Sequence, residues 1–136
     1  MTPAYDAAGK LNYLLSVSSL PNWKGNFTLN FDSGPHSLQI AEHYIGGMTD
    51  QRTTIFAGTT NALGLPNTNA GKRIGAFITT DLYYKYNWTD QNLSFNTAIV
   101  NLFDQDPPFA RLDYSYDPFT ANPLGRTFKI GLTVNY

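Results

Sequence analysis

The stretch from Phe128 to Tyr136 reads FKIGLTVNY and sets the fold prediction for the whole chain. Its apolar residues alternate with small or polar residues from the first position to the last. Side chains point to opposite faces along a β-strand, so this pattern places every apolar group on one face. A tilted strand needs roughly 9–11 residues to cross a bilayer, and this stretch is about that long. We therefore expect a membrane-spanning strand.

The composition of the chain favours the same interpretation. Only 14% of the 136 residues are charged and 15% are aromatic, and Asn, Thr and Ser are abundant. A soluble domain carries about a quarter of its residues as charged side chains. A transmembrane β-barrel instead uses strands with one apolar face toward lipid and one polar face toward a wet lumen.

Several function classes are excluded or disfavoured by the sequence. The net charge of −1 argues against nucleic acid as a partner, and the absence of cysteine excludes disulfides and thiol chemistry. No apolar run is long enough for a transmembrane helix. No nucleophile and base form a recognisable catalytic motif. We expect no enzyme activity, no catalytic residues, no cofactor and no metal.

Four further strands are predicted upstream, and the connections between them alternate in length. The strands are expected at Asn26–Asp32, His36–Ile45, Ile74–Trp88 and Leu93–Asn101. Residues 33–35 and 89–92 form short turns, whereas 46–73 and 102–126 are long segments. Residues 1–24 are expected to be mostly loop, with the end of a strand within Leu11–Val17. The pattern predicts an all-β, antiparallel up-and-down meander of about five strands, with the short turns at one end of a membrane barrel.

Several aromatic residues are expected at the end of the barrel where the short turns lie. Trp88 and Tyr136 fall at the same end of the strands, and with Tyr84 and Tyr86 they form the predicted aromatic girdle. Glu42 departs from the pattern because it shares the apolar face of its strand. A carboxylate is costly in mid-membrane, so Glu42 is expected near the headgroups unless a bulge shifts the register.

Five strands are too few to close a membrane barrel. Backbone groups in lipid must all be paired, and small barrels need about eight strands. We expect the remaining strands to come from an upstream part of a larger polypeptide, or from other chains in an oligomeric barrel. The first twenty residues also lack the pattern of an export signal, so the chain is expected to be incomplete.

Two groups of residues resemble known outer-membrane proteins. Lys129, Gly131, Val134 and Tyr136 fit polar-x-Gly-x-x-apolar-x-aromatic, which resembles the barrel-closing signal that the barrel assembly machinery recognises. Asn101–Phe109, Tyr116–Pro118 and Ala121–Arg126 are similar to the carboxy-terminal ends of TonB-dependent outer-membrane receptors. The resemblance covers nearly the whole chain. It implies that residues 1–136 are a carboxy-terminal segment of such a receptor's β-barrel, without the plug and most of the barrel.

The family resemblance carries expectations about function. TonB-dependent receptors form barrels of about 22 strands around a plug. They take up scarce ligands such as iron-siderophores, cobalamin or carbohydrates across the cell outer membrane. The expected partners are therefore membrane lipid, the barrel assembly machinery, and the remaining strands and plug. A segment from a truncated or split gene is not expected to transport a ligand alone.

Candidate sites are sparse. His36 and His43 are seven residues apart, which places them on opposite faces of one strand and argues against a shared metal. Asp104, Asp106, Asp113 and Asp117 crowd one segment, where turn formation is favoured over a calcium site. Asn30, Asp81, Lys85 and Lys129 are expected to face the lumen. Ligand contacts are expected in 46–73 and 102–126, without assignment to individual residues.

A soluble β-sandwich binding module, possibly for carbohydrate, is the alternative. It predicts that Phe128, Ile130 and Leu132 lie buried in the chain's own core.

Overall fold

The computed structural model describes residues 7–12, 18–50 and 73–134. Within these ranges the chain is all-β, with one 3₁₀ turn at Thr89–Gln91 and no α-helix. The strands are β1 (Lys10–Asn12), β2 (Ser18–Leu20), β3 (Lys24–Ser33), β4 (His36–Ile45), β5 (Met48–Asp50), β6 (Arg73–Ile74), β7 (Phe77–Trp88), β8 (Leu93–Val100) and β9 (Thr127–Val134). Among the residues described, no helix has the length and apolarity needed to cross a membrane.

The chain divides into two compact units, each assembled from three stretches of sequence. The first unit comprises Met1–Lys24, Ile45–Phe77 and Pro107–Asn122. The second comprises Gly25–Tyr44, Ile78–Asp106 and Pro123–Tyr136.

The second unit contains the five-stranded sheet that the alternation predicts. Its strand order is β3-β4-β7-β8-β9, so each long strand pairs with the next long strand along the chain. The Gly34-Pro35 turn joins β3 and β4 as a hairpin, and β7–β8 and β8–β9 are antiparallel. The prediction of a five-stranded antiparallel meander is therefore confirmed for this unit, with each strand close to its predicted bounds.

The register carries the alternation across the sheet. Tyr86 of β7 lies opposite Phe95 of β8, which lies opposite Leu132 of β9. The polar positions form rows in the same way, as with Lys85, Asn96 and Gly131. Because the rows stay in phase, one face of β7, β8 and β9 is mainly apolar and the other mainly polar.

The prediction that the chain forms only one meander is wrong, because the first unit contains a second sheet. This sheet has four short strands in the order β2-β1-β5-β6. Most of these residues were predicted to lie outside strands, and Ile74, predicted to begin the strand that ends at Trp88, belongs to β6 of this sheet. β1 and β5 are parallel, an arrangement that an up-and-down meander does not contain. These strands form around a small core of Leu11, Met48, Ile74 and Ala110. Strands of two or three residues are too short to show a periodic pattern, which explains why they were not predicted.

Two expectations lie partly beyond the described residues. The strand end predicted within Leu11–Val17 coincides with β1 only up to Asn12, and residues 13–17 lie outside the described ranges. Over the described part of the chain neither sheet closes on itself, and β3 and β9 are the two edges of the larger sheet. Membership of a barrel therefore remains a prediction.

Candidate functional site: the two faces of the five-stranded sheet

The apolar face of the sheet is uncovered. Phe128, Ile130 and Leu132 of β9 are 66%, 76% and 68% exposed. On β3, Phe27, Leu29 and Phe31 are also more than half exposed. The sandwich alternative requires the β9 residues to be buried in a core, and the exposure of these side chains contradicts that requirement.

Glu42 belongs to this face without a shift of register. β4 is continuous from His36 to Ile45, and Ile40, Glu42 and Tyr44 are all exposed while Ala41 between them is buried. The option of a bulge at Glu42 is therefore wrong. Glu42 lies three residues before the end of β4 that is remote from the Gly34-Pro35 turn. A position near the end of the strand is the other option that the sequence left open.

The polar face contains an open hollow of about 460 Å³. Charged and amide side chains from all five strands of the sheet line it, together with Tyr83 and small residues such as Ser37 and Ala98. Its polar lining includes Asn30, Asp32, Gln39, Lys85, Asn96 and Lys129. Three of the four residues predicted to face the lumen, Asn30, Lys85 and Lys129, thus line one hollow.

Asp81, the fourth of these residues, is the centre of a hydrogen-bonded network. It is only 6% exposed. Its Oδ1 accepts the backbone N–H of Asn101 at 2.9 Å, and its Oδ2 accepts the hydroxyl of Tyr83 at 3.0 Å. Nε2 of His43 lies 3.5 Å from the same Oδ2, and Nδ1 of His43 is hydrogen-bonded to Asn26 Oδ1 at 2.8 Å. The network joins β3, β4 and β7 to the residue that follows β8.

The sequence did not reveal this network. Its alternation placed Asp81 on the polar face, but two of the three partners, His43 and Asn101, come from distant positions in the chain. One signal was present, because a buried carboxylate in mid-strand requires hydrogen-bond donors around it.

Hydrogen bonds also join the two ends of the segment after β8. Asn101, with a left-handed φ of 54°, binds both the N–H and the C=O of Gln105 through its side-chain amide. Oδ1 of Asp104 accepts the N–H of Arg126 at 2.7 Å, and the Arg126 guanidinium lies 3.7 Å from Oδ2. Gly125 has a φ of 64°, and a Cβ there would meet the Asp104 carboxylate at 2.8 Å. We refer to Asn101, Asp104, Gly125 and Arg126 as the clasp.

One acidic residue of this segment, Asp117, stabilises a local turn. Its carboxylate accepts the N–H of Phe119 and the hydroxyl of Thr120, at 3.1 and 2.6 Å. The prediction of turn chemistry is confirmed for Asp117, whereas the Asp104 carboxylate binds the distant Arg126. In the described part of the chain, no three His, Cys, Asp or Glu side chains are grouped so that they could hold a metal ion.

The two histidines have separate surroundings, as their spacing predicts. His43 belongs to the Asp81 network on the polar face. Nδ1 of His36 is hydrogen-bonded to the Tyr84 hydroxyl at 2.7 Å, and its ring lies 4.9 Å from the ring of Tyr86. The prediction that these residues lie on opposite faces is confirmed.

The predicted aromatic girdle lies partly within the described residues. Tyr84, Tyr86 and Trp88 follow one another on the apolar face of β7. The rings of Tyr86 and Trp88 meet edge to face, with centroids 5.8 Å apart. Trp88 is 53% exposed. Tyr136 lies outside the described residues, so its place beside Trp88 stays a prediction.

The residues of the resemblance to a barrel-closing signal occupy β9. Lys129 lies opposite Ala98, and Val134, which is 52% exposed, lies opposite Leu93. Gly131 lies opposite Asn96, whose side chain fills the space that a Cβ on Gly131 would need. Glycine at this position therefore leaves room for the Asn96 side chain in its present rotamer. Tyr136 is again outside the described residues.

The first unit contains a buried ion pair. Nε of Arg111 donates to Oδ2 of Asp50 at 3.1 Å, with side chains that are 9% and 0% exposed. The pair ties residues 107–122 to β5 beside the Leu11–Met48–Ile74–Ala110 core. Its role is structural.

No protein-family model, no curated protein and no solved structure matches this chain.

Proposed function

We propose that the five-stranded sheet is a wall segment of a transmembrane β-barrel, with its apolar face toward lipid and its polar face toward an aqueous lumen. The observation that carries this proposal is the arrangement of side chains on β9. Exposed apolar side chains lie on one face of this strand, and the polar Lys129 and Thr133 lie on the other face. Water disfavours so continuous an apolar surface, whereas hydrocarbon accommodates it. The uncovered face also argues against the β-sandwich module.

The open edges support a larger assembly. β3 and β9 each present backbone groups that no other described strand pairs. In a bilayer those groups need partner strands. Such strands would come from an upstream segment or from other chains, and the barrel assembly machinery would join them. One sheet of five strands is therefore not transport-competent alone.

The resemblance in sequence gives this wall its most specific role. The segment would belong to a TonB-dependent receptor of the cell outer membrane. Such a receptor has a barrel that surrounds a plug, and it takes up a siderophore, cobalamin or a carbohydrate. The hollow on the polar face is compatible with a wet lumen because amide and charged groups line it.

A matched pair of arginine substitutions tests the orientation of the sheet. Leu132 and Thr133 are neighbours on β9, at nearly the same depth but on opposite faces. Leu132→Arg should weaken binding of the full chain to phospholipid vesicles about 30-fold or more, because arginine on the lipid face costs about 2–4 kcal/mol at mid-membrane. Thr133→Arg should leave binding within about twofold. Flotation of vesicles with bound chain measures both. Equal effects of the two variants, or a monomer that ignores vesicles, would contradict the proposal.

A further inference from the structure

The end of the sheet at the two tight turns contains a second open hollow, distinct from the one on the polar face. It has a volume of about 460 Å³ and is lined by Gly34, Pro35, Tyr86, Asn87, Trp88, Thr89 and Asp90. All of these residues belong to the second unit. The lining combines two aromatic rings with one carboxylate, and it includes no lysine or arginine.

The geometry of the rings suits a cation. Tyr86 and Trp88 both line the hollow, and their rings meet at 81° with centroids 5.8 Å apart. A cation is attracted to the face of an aromatic ring within about 6 Å of its centre, most strongly for tryptophan. Because Trp88 is 53% exposed, its ring is accessible to a ligand from solvent or from a membrane surface.

Asp90 supplies the complementary charge. It is exposed in the 3₁₀ turn that follows β7. Within the part of the chain that the structure describes, its carboxylate makes no hydrogen bond or ion pair. An acid placed beside two aromatic rings disfavours anions and attracts compact cations.

We infer that Tyr86, Trp88 and Asp90 bind the ammonium group of a phospholipid headgroup. The lipid as the source of the ammonium rests on the proposed function, since a wall segment places this rim at headgroup depth. The affinity for an ammonium ion itself rests only on the hollow. The site takes a trimethylammonium or primary ammonium group, with its phosphate left toward solvent.

The first experiment uses water-soluble probes and the full chain dispersed in a non-ionic detergent. The sequence has two tryptophans, so Trp23→Phe leaves Trp88 as the only tryptophan emitter. Trp23 is 75% exposed, and its replacement should not disturb the fold. Choline is titrated against 3,3-dimethylbutan-1-ol, which has the same shape without the charge. We expect choline to change the Trp88 emission in a saturable way and 3,3-dimethylbutan-1-ol to leave it unchanged. No change with choline, or equal changes with the two compounds, would overturn the site.

Variants of the lining identify the groups that bind. Asp90→Asn should weaken choline binding about fivefold, as loss of one neighbouring charge predicts. Tyr86→Leu should weaken it about threefold, through loss of one ring. Asp106→Asn removes the same charge from an exposed position outside the hollow and should leave binding unchanged. Equal weakening by Asp90→Asn and Asp106→Asn would overturn the role of Asp90, because it would reflect net charge.

Vesicles then identify the source of the ammonium. Asp90→Asn should reduce binding to phosphatidylcholine vesicles and leave binding to phosphatidylglycerol vesicles unreduced, since phosphatidylglycerol has no ammonium group. An equal effect on both lipids would overturn the headgroup assignment. Failure of the proposed function has a different signature, namely no binding of the parent chain to either lipid while free choline still binds.

Discussion

At the scale of single residues, Asp81 shows how a charged group becomes part of a sheet. A carboxylate that is 6% exposed would be costly without donors, yet it accepts a backbone N–H and a hydroxyl and faces an imidazole. These contacts connect the strands to the start of the long segment after β8. The side chain therefore acts as a structural link on the polar face.

Removal of the Asp81 carboxylate should loosen that link. We expect Asp81→Ala to lower the free energy of unfolding by about 1–3 kcal/mol, because the buried N–H of Asn101 loses its acceptor. Hydrogen exchange of the Asn101 amide should accelerate more than exchange in β9. Asp81→Asn keeps an acceptor oxygen and should have a smaller effect. Asp32→Ala on the exposed end of β3 is the control and should change stability by less than about 0.5 kcal/mol.

The Asp50–Arg111 pair in the first unit makes a second prediction at this scale. Asp50→Leu should destabilise the protein by about 3–5 kcal/mol, since it removes the acid that faces a buried guanidinium. Replacing both residues together, as Asp50→Leu with Arg111→Met, should cost less than this single change. Denaturant unfolding of Asp50→Leu, Arg111→Met and the double variant measures the coupling. Additive losses would show that the pair does not interact in solution.

At the scale of the element, β9 combines an apolar face with a glycine, Gly131, that contacts the Asn96 side chain. General strand preferences predict that a β-branched residue at Gly131 would stabilise the strand. The contact with Asn96 predicts the opposite, because the amide already occupies the space of the missing Cβ. The local contact should therefore outweigh the general preference.

We expect Gly131→Ala to destabilise the β8–β9 pairing by about 0.5–1 kcal/mol, because the exposed Asn96 side chain must leave its present rotamer. Asn96→Ala in the same chain should recover most of that loss by vacating the space. Hydrogen exchange of β9 amides in the two single variants and the double variant gives the comparison. A Gly131→Ala chain as stable as the parent would mean that Asn96 moves aside without cost.

The length of an element also explains how much could be predicted. β3, β4, β7, β8 and β9 have at least eight residues each, enough for alternation to reveal both the strand and its faces. The short strands around Leu11, Met48 and Ile74 offer no such signal, and the parallel contact of Lys10 with Thr49 joins distant parts of the chain. The polar face was predictable in the same way. The hydrogen bonds of Asp81 and the clasp were not, because they depend on left-handed turns and distant partners.

At the scale of the whole molecule, the described strands leave the larger sheet with two open edges and with exposed apolar side chains on one face. Each is a surface on which a second chain can pair or pack. In buffer without lipid or detergent, the isolated chain should therefore associate as its concentration rises.

A comparison of two pairs of lysine substitutions distinguishes association through the apolar face from a general effect of net charge on solubility. Leu29→Lys with Ile130→Lys should strongly reduce association in buffer, because both positions lie on the apolar face. Asn30→Lys with Thr133→Lys adds the same charge to the polar face and should reduce it much less. Sedimentation velocity over a range of concentrations measures the difference. Equal reduction by both pairs would show that net charge alone governs association.

The assembly of each unit from three separated stretches has a consequence for synthesis on the ribosome. β9, which completes the described sheet, is made about a hundred residues after β3. Pairing of strands across long loops is slow, and unpaired apolar strands tend to aggregate. The full sheet therefore cannot form before β9 has been made. We expect the nascent polypeptide to depend on a holding chaperone between the emergence of β3 and that of β9.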